Sequence, residues 1–191
     1  MTAAPIERCP WCGNDELYVK YHDEEWGKEV DSDTVLFEFL VLESAQAGLS
    51  WITILRRREG YRKAFAGFDY KQVSQFDERK IEELVQDERI IRHRGKITAT
   101  VKNAQIFMQI QQEFGSFYNY LYSFMPERKR IVNPLKDLKS APTHSKESDA
   151  ISKDLKKRGM KFFGTTICYA FMQAVGMVDD HLDSCDFKAV S

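Results

Sequence analysis

The sequence predicts an all-α protein. Apolar residues recur at helical spacing along most of the 191-residue chain, and no run alternates apolar and polar residues as a half-buried strand would. Capping residues and turn glycines also cut the chain into helix-sized pieces.

Asp31, Ser32 and Asp33 are suited to cap a helix running to about Ala47. Its Leu36, Phe37, Phe39, Leu40, Val41 and Leu42 cover nearly every face, so this helix should be buried. Ser50 is placed to cap a second helix through Ile54 and Leu55 to about Phe65. Asp77 opens a short helix with Ile81, Leu84 and Val85 on one face. Ile97, Val101, Ala104 and Met108 mark a helix from about Lys96 to Glu113, stopped by Gly115. Phe117, Tyr118, Tyr120, Leu121 and Phe124 form an aromatic-rich helix ending before Pro126. The stretch 126–148, with Pro134 and Pro142, reads as irregular. A basic helix from about Asp149 to Arg158 and an apolar one from Thr165 to Val175 follow. The second buries Cys168 as a small hydrophobe.

Composition is that of an ordinary globular domain, with 43% apolar and 30% charged residues and a net charge of −1. No run of eighteen apolar residues occurs, so no membrane span is expected. The opening residues Met1 to Arg8 lack the apolar core of a secretory signal. A cytoplasmic setting follows, in which the four cysteines read first as thiols or metal ligands.

Charge is unevenly spread. Acid dominates from Asp23 to Asp33. Base dominates three patches: Arg56, Arg57, Arg58, Arg62 and Lys63; Arg89, Arg92, Arg94 and Lys96; and Lys153, Lys156, Lys157, Arg158 and Lys161. Any one of them reads as a solvated helix face. Three, each beside a turn glycine (Gly60, Gly95, Gly159), favour a polyanion. In particular, the connection from Arg89 to Ile97 leads into a helix start whose N–H groups suit an anion.

The stretch Leu42 to Trp51 carries a carboxylate, Glu43, out of the buried helix, breaks at Gly48 and restarts at Trp51. This suggests a pocket for a flat ligand with polar edges, where burial would raise the pKa of Glu43. A helix corner with Glu43 solvated at its rim fits the same residues. Near the start of the chain, Trp11, Tyr18, Tyr21 and Trp26 surround His22. They fit either a core or a stacking platform for a base.

Cys9 and His22 near one end, with His181 and Cys185 near the other, make up a Cys₂His₂ set. The four-residue spacing of His181 and Cys185 places both on one face of a helix. Cys12 competes for a ligand position through Cys9-Pro10-Trp11-Cys12. A redox reading of that pair lacks the βαβ context it needs.

Five blocks carry a family resemblance. They are Tyr18-Val19-Lys20-Tyr21-His22-Asp23-Glu24-Glu25-Trp26-Gly27, Gln46-Ala47-Gly48-Leu49-Ser50-Trp51-Ile52-Thr53, Ile90-Ile91-Arg92-His93-Arg94-Gly95-Lys96-Ile97, Leu155-Lys156-Lys157-Arg158-Gly159 and Gly164-Thr165-Thr166-Ile167-Cys168-Tyr169. In this order they resemble the 3-methyladenine DNA glycosylase I family, from about Glu7 to Cys185. The resemblance is weakest from about Gly115 to Ser145.

It implies a helix-hairpin-helix glycosylase fold in a single domain over 1–191. A hairpin lobe would span about 31–114, and a zinc-bearing lobe would join 1–30 to about 115–191. It implies one structural Zn²⁺ on Cys9, His22, His181 and Cys185, with Cys12 a departure from the family pattern. It also implies a base pocket of Glu43, Tyr18, Tyr21 and Trp51 with Trp11 close by, and Gly48 and Leu49 plugging the gap in the duplex. Arg92, Arg94, Gly95 and Lys96 would line the DNA. The implied activity is monofunctional release of free 3-methyladenine from alkylated double-stranded DNA by a monomer, leaving an abasic site. A zinc-stapled DNA-binding protein without catalysis is the competing reading.

Overall fold

A computed structural model describes residues 5–189. The outermost residues of the implied 1–191 domain, 1–4 and 190–191, lie outside them. The chain is mostly helical, with ten α-helices among the described residues. One hydrophobic cluster runs continuously from Tyr21 to Val178, and a smaller one gathers Cys9, Leu135, Leu182 and Cys185.

α1 (Glu16–Glu24) begins at Asp15, whose side chain accepts from the N–H groups of Leu17 and Tyr18. α2 (Asp33–Gln46) is the axis of the molecule, and every residue from Leu36 to Ala45 is buried. That run includes Glu38, paired with Arg58 and Arg62, and Glu43. Asp33 does not cap α2 as the sequence suggested. Its carboxylate accepts from the N–H groups of Phe117 and Tyr118 and so caps α8 (Phe117–Tyr122), joining the two helix starts.

The helix expected from Ser50 to Phe65 is two helices, α3 (Trp51–Leu55) and α4 (Arg58–Ala64). The break lets Arg58 turn inward to Glu25 and Glu38, and Arg57 bond the carbonyl of Glu88. Gly60 is not a turn residue. It lies inside α4, where a Cβ would come within 2.4 Å of the Arg89 carbonyl oxygen. After the single turn α5 (Tyr70–Val73), α6 (Glu78–Val85) and α7 (Arg94–Phe114) pack together and are joined by 86–93. His93 caps α7 by accepting from the Lys96 N–H.

α9 (Lys146–Lys157) starts three residues earlier than its apolar pattern indicates, because Ser145 and Ser148 form a reciprocal capping box. α10 (Thr165–Ala174) packs between α9 and α2. The sequence showed no strand, yet β1 (Ile131–Val132) pairs in parallel with β2 (Val178–Asp179), in the register Ile131 to Val178. Two-residue strands are too short to produce an alternating pattern. They matter here because they hold the chain end that carries His181.

Candidate active site and metal centre

The C-terminal half of α2 reaches a cavity of about 230 Å³. α1 and the preceding 3₁₀ turn supply Trp11, Tyr18 and Tyr21; the turn after α1 supplies Trp26; α2 supplies Glu43 and Gln46; α3 supplies Trp51. The far wall comes from Ala170, Gln173, Asp180, Leu138 and Ala141. The aromatic rings meet at angles: Trp11 lies 5.0 Å from Tyr18 and 4.9 Å from Trp26, and Tyr21 lies 5.5 Å from Trp51 (ring centroids). Such a wall suits a flat heterocycle.

Glu43 is 4% exposed, and burial alone pushes its pKa up to about 8, with no ion pair to offset it. The alternative of a solvated rim carboxylate is therefore a misfit to the structure. The Trp51 indole N–H is buried without a hydrogen-bond partner. A buried orphan donor costs stability, and on a cavity wall it is ready for a ligand acceptor. Next to the pocket, Gly48 sits at φ +82° and Leu49 projects at 37% exposure. The turn is fixed by Leu49 N–H to the Gln46 carbonyl (2.7 Å) and the Gln46 side-chain amide to the Leu49 carbonyl (2.8 Å).

Behind the aromatic wall, ligand atoms of Cys9, His22 and Cys185 lie within 4.8 Å of one another, all buried. These three can hold a metal ion. His22 directs Nδ1 to Asp23 Oδ1 at 2.8 Å, leaving Nε2 towards the Cys185 sulfur at 3.5 Å. His181 repeats the pattern: its Nδ1 lies 2.8 Å from Asp179 Oδ1, and its Nε2 is buried with no partner. A carboxylate on the far nitrogen is how metal-bound imidazoles are oriented. Gly27 makes the room, since a Cβ there would meet His181 Cε1 at 2.7 Å. Burial pushes the Cys9 thiol up to about 12, and a divalent cation is what makes thiolates of such groups.

One expectation needs correction. His181 and Cys185 do not share a helical face; both lie in the irregular segment after β2, closed by the Cys185 N–H to the Leu182 carbonyl. Cys12 stands outside the cluster, with its Sγ 3.1 Å from the Cys9 carbonyl oxygen.

The basic connection is a turn between α6 and α7, but its cations are largely engaged. Arg94 pairs with Glu78 and Glu82, Arg89 with Asp87, and Arg92 with Glu88. Lys96 turns inward, and its ammonium donates to the carbonyls of Ala45 (2.9 Å) and Ala47 (2.8 Å) at the end of α2. Gly95 is exposed in the first turn of α7.

A family model described as methyladenine glycosylase matches residues 11–189. The chain belongs to the methyladenine glycosylase family. It is 48% identical over 181 residues to a DNA-3-methyladenine glycosylase of Haemophilus influenzae, covering 95% of this chain and 97% of that protein. DNA-3-methyladenine glycosylase 1 of Escherichia coli (strain K12) is also 48% identical, over 94% of this chain and 96% of its own. Among solved structures, 3-methyladenine DNA glycosylase I from Staphylococcus aureus superposes with a TM-score of 0.93 at 34% identity, covering 98% of this chain and 100% of that one. A variant 3-methyladenine DNA glycosylase I in complex with 3-methyladenine gives 0.92 at 35%, covering 96% and 98%.

Sequence reasoning missed several residues of this family member's site. Gln46 could have been found, since it lies three residues after Glu43 on one helix face. Asp23 and Asp179, the carboxylates on the two histidines, sit beside or two before them in sequence. Gln173 and Asp180 carried no signal, because only the return of the chain through α10 and β2 brings them to the cavity.

Proposed function

We propose that this chain extrudes 3-methyladenine from alkylated double-stranded DNA and hydrolyses its N-glycosyl bond. The carrying observation is Glu43: a carboxyl buried without a partner on the wall of an aromatic cavity. Such a group is costly unless a ligand completes it. An adenine methylated at N3 is cationic within the nucleotide and carries an exocyclic amine, and a carboxylate answers both features.

Tyr18, Tyr21, Trp51 and Trp11 would grip the flipped ring, and cation–π attraction favours an alkylated purine over a neutral one. As water attacks C1′, the electrons of the glycosidic bond pass to the departing base. Free neutral 3-methyladenine, an abasic site and one proton result. The positive charge already on the base weakens that bond, so the site's task is extrusion and recognition. In this reading no lysine acts as nucleophile, so release of the base leaves the strand uncut.

Gly48 and Leu49 would fill the hole left in the duplex, with the hairpin at Arg92, Arg94 and Gly95 along the backbone. Lys96 holds the end of α2 to the hairpin. In this reading 31–114 form the lobe of a helix-hairpin-helix glycosylase fold that meets DNA. Residues 1–30 and 115–191 form a lobe closed by one Zn²⁺ on Cys9, His22, His181 and Cys185. Bound there, Zn²⁺ supplies a closed structural cross-link between the chain ends. A monomer acting in the cytoplasm belongs to the same proposal; no helix of the described residues is long and apolar enough to cross a membrane.

Chromatography of bases released from methylated DNA tests the reading, run beside a metal assay. Free 3-methyladenine should appear in step with enzyme, with one zinc per chain. Zinc-loaded protein that binds duplex yet releases no methylated purine would favour the non-catalytic alternative.

A further inference from the structure

The three basic patches of the sequence are not equivalent in the folded chain. In the first, Arg56, Arg58 and Arg62 are held by Asp15, Glu25, Glu38 and Glu59. In the second, the arginines pair with acids and Lys96 with carbonyls. In the third, only Arg158 is paired among the described residues. Lys153, Lys156, Lys157 and Lys161 are exposed and carry no ion pair there.

Beside them stands an unusual aromatic. Phe162 has φ +57° and is 38% exposed, a backbone region that bulky L-residues avoid. Phe68 has a similar φ of +61°, but it is fully buried, so its packing compensates. Burial compensates far less at Phe162. The loop is nonetheless held firmly: the Asn103 amide donates to the Lys161 carbonyl at 2.9 Å and accepts from the Lys161 N–H at 3.1 Å. Phe162 meets the hairpin through His93, 5.9 Å between ring centroids, and would touch a Cβ at Gly95 at 3.7 Å. A groove of about 490 Å³ runs from it past Lys161 and Lys156.

We propose that Phe162, Lys161 and Lys156 form a second DNA-contact surface, continuous with the hairpin. The two lysines meet backbone phosphates, and the Phe162 ring lies against the deoxyribose edge. Duplex DNA is the occupant because the free charge is uniformly positive, the surface adjoins the hairpin, and the strained aromatic is presented outward from a clamped loop. The proposal rests on the glycosylase reading for its ligand.

The test is equilibrium binding of the full chain to a fluorescent duplex bearing a stable abasic analogue, across a salt series. Each lysine that neutralises a phosphate adds about one unit to the slope of log K against log salt. Lys156→Gln with Lys161→Gln should therefore flatten the slope by roughly two. Phe162→Gly should raise Kd at least about fivefold, with thermal stability unchanged or higher because strain is relieved. Should Phe162→Gly unfold more easily, Phe162→Asn, which tolerates the same backbone, is read in its place. An unchanged slope in the double variant, or an unchanged Kd in the Phe162 variant, overturns the surface. Wild-type protein that shows these dependences but releases no base would end the glycosylase reading and leave the surface standing.

Discussion

Glu43 is a buried carboxyl whose ionisation costs the folded chain stability. The folded chain keeps its proton to about pH 8, whereas an unfolded chain loses it near 4.5. Stability from the neutral carboxyl is full below pH 4.5 and is lost as pH rises through 8. Glu43→Gln should thus match wild type in unfolding free energy at pH 4 and exceed it by about 3 kcal/mol near pH 7. Denaturant titrations at the two pH values measure the difference, and equal offsets at both would refute it. The same titration should appear in catalysis. A cationic base prefers ionised Glu43, so kcat/KM for excision should climb with pH towards a plateau above about 8. Glu43→Gln should flatten that limb and lower the plateau by about 10²-fold or more.

At the scale of elements, Lys96 ties α7 to the end of α2. Its ammonium occupies the carbonyls of Ala45 and Ala47, immediately before the Gly48–Leu49 turn. Burial lowers its pKa, as expected of a lysine spent on internal acceptors. Lys96→Met leaves those carbonyls without their charged donor and should cost about 1.5–3 kcal/mol of stability. It should also slow excision from duplex more than it weakens capture of free 3-methyladenine, because it loosens the turn and spares the pocket. Equal losses in the two assays would show that Lys96 has no positioning role. The turn from α6 into α7 was readable, as were the burial of α2 and the start of α6 at Asp77. The split of α3 from α4 was not, because it answers to Glu25 and Glu38, acids that are distant in sequence.

Across the whole molecule, the smaller cluster around Cys9 and Cys185 joins both ends of the chain to α1. Stripping zinc with a strong chelator should lower the melting temperature by roughly 10 °C, restored by one equivalent of Zn²⁺. His181→Ala should weaken zinc retention, while Cys12→Ser leaves it unchanged. Loss of zinc in Cys12→Ser would return Cys12 to the ligand set.

By itself the sequence determined the helical class, the buried α2 with its carboxylate, and the residue types gathered at the Cys9–His22–Cys185 cluster and the aromatic cavity. Those properties are local: periodicity, capping and side-chain chemistry are written in neighbouring residues. Only the tertiary structure decided which charges remain free for a partner. It also decided that His181 stands beside His22, 5.0 Å between ring centroids, on a loop rather than a helix, and that Gln173 and Asp180 line the pocket. These depend on contacts between residues far apart in the chain, where burial and competing ion pairs fix the outcome and spacing carries no signal.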